Sequence, residues 1–186
     1  SVPTELEVFG VGTTEPRARV ERLGESLQVL RALWTGEVVD HEGEHLTLRG
    51  AQQRPVPTRP IPITIGGVGP RTLALVREHA DWWNLPVHHL DRLDELRPEA
   101  GGARVSVQAM LALVPDEGAR AEVTDLARRR FGATGMGEHL VIGDVDELAE
   151  HARGLHARGV DRIYTWFTDF APPATIERFG AVVRAH

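Results

Sequence analysis

Hydrophobic and polar residues first follow a helical period along this chain and then a strand-like one. Over residues 15–34 apolar side chains recur at steps of three and four, which predicts an amphipathic helix. Thr14 is its expected N-cap, and Gly36 suits its end. Residues 37–49 contain two short strand-like pieces around Glu42 and Gly43, which predicts a β-hairpin inserted before the next element.

From residue 61 onward, apolar runs typical of strands alternate with helical patterns. The predicted strands are 61–65, 80–86, 104–114 and 160–167, and the predicted helices are 70–79, 91–99, 115–131, 145–157 and 174–185. Residues 131–140 are a predicted loop, and Asp144 is the predicted N-cap of the helix that follows. This order predicts an α/β fold with about four parallel strands, in either a doubly wound sheet or part of a (β/α)8 barrel. A whole barrel needs about 250 residues, and this chain has 186.

The most informative stretch is residues 61–76, where a β-branched run meets Gly66 and Gly67 and a helix begins at Pro70. A strand that enters a helix through glycines presents free backbone N–H groups and the positive helix end at one point, which suits a phosphate. Arg71 and Thr72 add a charge and a hydroxyl. The alternative of equal weight is a tight strand-to-helix turn that binds nothing.

Composition narrows the function classes. A chain of 186 residues with 41% hydrophobic content can bury one core, so residues 1–186 are expected to form a single domain. The net charge of −6, without a basic block, argues against nucleic acid and anionic membranes as partners. Cysteine and lysine are both absent, which excludes thiol and Schiff-base chemistry. No apolar run approaches the roughly 18 residues of a membrane span, so a cytoplasmic location is expected.

No catalytic residue can be assigned from the pattern. His88 and His89 follow the second predicted strand and titrate in a range that suits an active-site role, but a position in an exposed loop is the favoured interpretation. His41 and His45 lack a clear third ligand, so no metal site is predicted. Trp82, Trp83 and Trp166 can stack on a flavin ring or pack beneath helices, and packing is favoured for most of them.

Several segments, in their order and spacing, resemble bacterial luciferase-like flavin-dependent oxidoreductases, especially the branch that uses the deazaflavin coenzyme F-420 (F420). The resemblance is strong over residues 16–84, weak over 85–140, and returns near 142–144 and 159–163. The segments that carry it are Arg19-Val20-Glu21-Arg22-Leu23, Leu30-Arg31-Ala32-Leu33-Trp34, Glu42-Gly43-Glu44-His45, Arg54-Pro55-Val56-Pro57, Ile63-Thr64-Ile65-Gly66-Gly67-Val68-Gly69-Pro70-Arg71 and Ala80-Asp81-Trp82-Trp83-Asn84.

The resemblance implies that the chain is the C-terminal half of a (β/α)8 TIM barrel in an oxidoreductase or monooxygenase. It implies FMN or F420 as cofactor, with its phosphate held at the loop of residues 67–69. Val68 stands where the family often has serine, so Thr72 or Arg71 is expected to replace the lost hydroxyl. The expected cofactor-binding residues are Gly66, Gly67, Val68, Gly69, Arg71, Thr72 and Asn84. For Asn84, a simple strand cap is the alternative of equal weight.

The family's first four strands have no counterpart in this sequence, and two functions are considered for it. The chain is either a flavin- or F420-dependent oxidoreductase whose other half comes from further sequence or a partner chain, or a non-catalytic half-barrel. A half-barrel would leave open sheet edges, which a homodimer can cover.

Overall fold

The structure is a computed structural model that describes residues 8–9, 15–133 and 137–185. It contains two compact units, residues 1–63 and residues 64–186. The single domain expected over the whole chain stays a prediction. Among the described residues, no helix is both long enough and apolar enough to cross a membrane.

In the first unit, helix α1 (Pro16–Leu33) leads into a hairpin of strands β1 (Val39–Glu42) and β2 (Thr47–Ala51). The strands are antiparallel, so the predicted hairpin is confirmed. The N-cap of α1 is Glu15, whose carboxylate accepts a hydrogen bond from the Ala18 N–H. The expected cap, Thr14, lies outside the described residues.

The second unit is a five-stranded parallel sheet with helices. Its strands are β3 (Thr64–Gly66), β4 (Trp82–Leu85), β5 (Arg104–Leu113), β6 (Val141–Gly143) and β7 (Arg162–Phe167). Its helices are α2 (Pro70–His79), α3 (Leu93–Ala100), α4 (Arg120–Phe131), α5 (Val145–Ala157) and α6 (Pro173–Ala185), with 3-10 turns at Val87–Arg92, Glu117–Ala119 and Gly137–His139.

Strand order identifies the architecture. Strands β3, β4, β5 and β7 are neighbours in that order, and every pairing is parallel. Within this row each strand lies beside the one before it, as in a barrel wall and without the reversal of order that marks a doubly wound sheet, while the short strand β6 pairs with the end of β5. The α/β prediction is thus confirmed, as part of a barrel that the described strands do not close.

The structure differs clearly from the sequence prediction at two strands and one helix. The strand predicted at 61–65 is only Thr64–Gly66, and residues 61–63, which include Pro62, form no strand pairing. The helix predicted from residue 115 starts at Arg120, because Asp116 first caps a 3-10 turn. Strand β6 was not predicted, since three residues are too few to show a period.

The two faces of the sheet have different environments. One face packs against α5 and α6, in a core that includes Ala109, Leu111, Leu113, Leu148, Ala149 and Val182. On the other face, Arg162, Tyr164 and Trp166 of β7 are exposed. The Trp82 ring there contacts two guanidinium groups, with the central carbon of Arg104 3.9 Å and that of Arg162 3.7 Å from the ring centroid. This second face is therefore polar and aromatic.

Candidate functional site

The predicted phosphate turn lies between β3 and α2. Gly69 is the N-cap of α2 and offers no side-chain hydrogen bond to the helix, and the first intrahelical bond runs from Leu73 N–H to the Gly69 carbonyl (2.9 Å). The amides of Arg71 and Thr72 precede that bond, so they point out of the helix start. The first turn contains no acidic residue. The end of the helix therefore offers donors and positive potential to an anion.

Gly67 gives the turn its shape. Its φ is +125°, and a Cβ built on it would lie 3.1 Å from Thr72 Cγ2. Its carbonyl accepts a hydrogen bond from the Trp83 indole Nε1 (2.8 Å), which ties the turn to β4. Gly66 and Gly69 are exposed, and Gly67 is half-buried. The backbone is thus held in place and open to the surface, which leaves room for a ligand group against it.

A row of residues crosses three strands beside this turn. Gly66 pairs with Asn84, and Asn84 pairs with Ser106. The Ser106 hydroxyl lies 3.2 Å from Asn84 Oδ1 and 3.4 Å from the Trp83 carbonyl oxygen, and Ser106 is fully buried. A Cβ on Gly66 would lie 3.9 Å from Asn84 Nδ2. Ser106 thereby restrains the Asn84 amide next to the turn.

Two residues near the turn were not in the predicted set. Ser106 was detectable as one of three polar positions, with Arg104 and Gln108, that alternate with apolar residues in the first half of β5. The indole of Trp83 gave no such signal, because its partner is a backbone carbonyl 16 residues away.

The remaining predicted residues take different positions. Arg71 is exposed and forms no ion pair with any residue that the structure describes, so its charge is available to a ligand. The Thr72 hydroxyl oxygen lies 3.9 Å from where a Gly69 Cβ would be. Val68 is half-buried. The turn therefore brings together Gly66, Gly67, Gly69, Thr72 and Asn84, with Arg71 beside them.

The aromatic and histidine candidates contribute less. Trp82 and Trp83 are both buried, whereas Trp166 is 49% exposed. His88 and His89 lie in the 3-10 segment after β4, with ring centroids 4.4 Å apart. Only Trp166 among the tryptophans of the sheet thus has a ring face available to another molecule.

A separate apolar cleft lies on the helix side of β7, between α5 and α6. It is lined by residues that include Leu111, His151, Ile163 and Phe179. Burial lowers the pKa of His151 below its usual value of 6.5, so this imidazole is neutral at pH 7. The cleft shares no residue with the glycine turn.

Comparison with known proteins gives one family and several similar chains. The family of luciferase-like monooxygenases matches residues 2–104. An F420-dependent glucose-6-phosphate dehydrogenase from Rhodococcus hoagii is 46% identical over 56 residues, which are 30% of this chain and 17% of that protein.

Two solved structures have the same fold at low identity. An F420-dependent secondary alcohol dehydrogenase in complex with an F420-acetone adduct superposes with a TM-score of 0.75 at 17% identity, over 97% of this chain and 65% of the other. EDTA monooxygenase from Chelativorans sp. BNC1 gives a TM-score of 0.71 at 14% identity, over 100% and 63%.

The chain thus spans less than two thirds of the length of either solved structure. The family match covers more than half of its 186 residues and includes the whole of the glycine turn. By this match, the chain belongs to the family of luciferase-like monooxygenases.

Proposed function

We propose that this chain is the cofactor-binding part of an oxidoreductase and that the turn of residues 66–72 binds the phosphate of a flavin. The observation that carries the proposal is the open start of α2, where no side chain caps the helix and Gly67 keeps the backbone free of a Cβ. A phosphate at this point would accept hydrogen bonds from backbone amides and interact favourably with the helix dipole.

Each residue of the turn has a distinct role in this proposal. The amides of Arg71 and Thr72 donate to phosphate oxygens, and the Thr72 hydroxyl supplies the donor that Val68 lacks. The Arg71 guanidinium adds a positive charge. Asn84, restrained by Ser106, orients the part of the cofactor that lies nearest the sheet.

The bound flavin would supply the hydride or oxygen chemistry, while this chain binds and orients it. F420 is the first candidate, because similar proteins carry names that state F420 dependence. FMN is the second candidate, since it also carries a phosphate. The activity of the whole protein, its substrate and a cytoplasmic location belong to the same proposal, and no catalytic acid or base is assigned.

The alternative function is a non-catalytic half-barrel that dimerises. It is favoured by the strand order, because β3 pairs only with β4 and β7 pairs only with β5 among the described strands. Open edges of this kind invite pairing with another chain. A homodimer, or a partner that supplies further strands, would cover them.

The deciding experiment is a titration of the purified chain with F420 and with FMN, followed by fluorescence and calorimetry. We expect saturable binding of one of the two, competition by inorganic phosphate, and a loss of about tenfold in affinity in R71Q and in T72V. R128Q is the matched control, since Arg128 is an exposed arginine on α4.

The same preparation distinguishes the two functions. The oxidoreductase proposal fails if neither cofactor binds, or if R71Q and T72V bind as tightly as the R128Q control. A dimeric mass in light scattering, together with indifference to both cofactors, supports the structural half-barrel instead.

A further inference from the structure

The hairpin turn packs on α1 through one carboxylate. Glu25 accepts hydrogen bonds from His41 Nε2 (2.7 Å), the His45 N–H (2.8 Å) and the Leu46 N–H (3.0 Å). These bonds help to hold the pKa of Glu25 below its usual value against the opposing effect of desolvation. His41 is therefore already engaged, and Glu25 positions the hairpin turn against the helix.

His45 is in a different situation. Its Nε2 atom is buried and has no hydrogen-bond partner among the described residues, although the side chain as a whole is 17% exposed. The nearest carboxylate oxygen, Oε2 of Glu21, lies 3.8 Å away, which is too far for a hydrogen bond. The other oxygen of Glu21 is bound to Arg17 Nε at 2.6 Å. A buried imidazole nitrogen without a hydrogen-bond partner is unfavourable, so a ligand bound to this atom would stabilise the structure.

Three potential metal ligands converge at this atom. One ligand atom each from Glu21, Glu44 and His45 lies within 4.8 Å of the other two. Glu21 comes from α1, whereas Glu44 and His45 come from the turn between β1 and β2. A single ion among them would thus link the helix to the hairpin and give His45 Nε2 its missing partner.

We propose that Glu21, Glu44 and His45 bind one Zn²⁺ ion. An imidazole nitrogen with two carboxylate oxygens is a ligand set that zinc accepts, and three protein ligands leave one tetrahedral position for water. Mg²⁺ and Ca²⁺ prefer six or more oxygen ligands, so they fit this set less well. The two carboxylate charges balance the ion. All three residues lie within residues 15–63, so the site does not depend on the proposed flavin function.

The test is calorimetric titration of the metal-free protein with ZnCl2, with thermal unfolding measured in parallel. We expect one saturable ion per chain, a rise in Tm that EDTA reverses, and at least tenfold weaker binding in E44Q and in H45Q. Glu44 is exposed, so E44Q removes a ligand without disturbing packing. E42Q changes an exposed carboxylate two residues away, and H88Q removes an exposed histidine outside the cluster, so both are expected to bind like the wild type.

A residue-specific signal separates this site from chance binding at the other eight of the nine histidines. On addition of zinc, the ring resonances of His45 are expected to shift in the NMR spectrum before those of His88. The proposal is overturned if no saturable binding occurs, or if E44Q and H45Q, both folded by circular dichroism, bind zinc as tightly as E42Q.

Discussion

Replacement of Gly67 by alanine tests the geometry of the turn most directly. The backbone at Gly67 has a φ of +125°, a conformation that residues with a Cβ rarely adopt. The new methyl group would also meet Thr72 Cγ2 at 3.1 Å. G67A therefore adds backbone strain and a steric contact at the same point, without removing any hydrogen bond.

The magnitude follows from these two contributions. A sparsely populated backbone conformation costs about 1–3 kcal/mol. The contact adds less, because Thr72 needs to move by only a few tenths of an ångström. We expect a total loss of about 2–3 kcal/mol, which corresponds to roughly 5–10 °C in Tm for a chain of this size.

The assay is urea and thermal unfolding of G67A beside G102A. Gly102 is the matched control, since nothing lies within 4 Å of its Cβ position and its φ is not in the left-handed range. The double variant G67A/T72S removes the crowded methyl group and keeps the hydroxyl, so it is expected to recover only the smaller, steric part of the loss relative to T72S alone.

Two results would refute this reasoning. A Tm of G67A equal to that of G102A would mean that the turn relaxes without cost. Complete recovery in G67A/T72S would mean that steric contact alone, and not the φ of Gly67, accounts for the requirement for glycine.

Three further predictions concern the structure around the site and α5. W83F removes the indole donor to the Gly67 carbonyl and is expected to cost about 1–3 kcal/mol in urea unfolding, whereas W166F, at an exposed position, should change stability by less than about 0.5 kcal/mol. D144A removes the N-cap of α5 and should cost about 0.5–2 kcal/mol, which D144N should largely restore; equal losses in both variants would contradict the capping role. Because the pKa of His151 is lowered in the folded chain, the unfolded chain binds a proton more readily below about pH 6.5, and the free energy of unfolding should fall as the pH drops below that value. H151Q should show a smaller fall in urea unfolding. An unchanged fall would exclude His151 as the cause.

Local signals predicted most of the secondary structure. The bounds of α2 agree with the prediction of 70–79, because Pro70 begins that helix and its apolar positions keep a helical period. Asp144 caps α5 as predicted, through hydrogen bonds from the Asp146 and Glu147 amides at 3.0 Å. Signals of this kind depend on residues within one helical turn, so they can be read directly along the chain.

Contacts between residues that are far apart in the sequence could not be predicted in this way. The hydroxyl of Ser106 reaches Asn84 across 22 positions, and β6 forms its three-residue pairing only because the end of β5 is beside it. The sequence showed no third ligand for His45, yet its Nε2 is buried near Glu21, 24 positions earlier in the sequence.

The sequence by itself determined which segments form strands and helices and where glycines open a strand-to-helix turn, since backbone preference and hydrophobic period are properties of neighbouring residues. Only the tertiary structure decided which side chains meet. Strand register placed Ser106 beside Asn84, and the packing of the hairpin on α1 brought Glu21, Glu44 and His45 together. Register and packing depend on the whole set of elements at once, so no single stretch of sequence contains them.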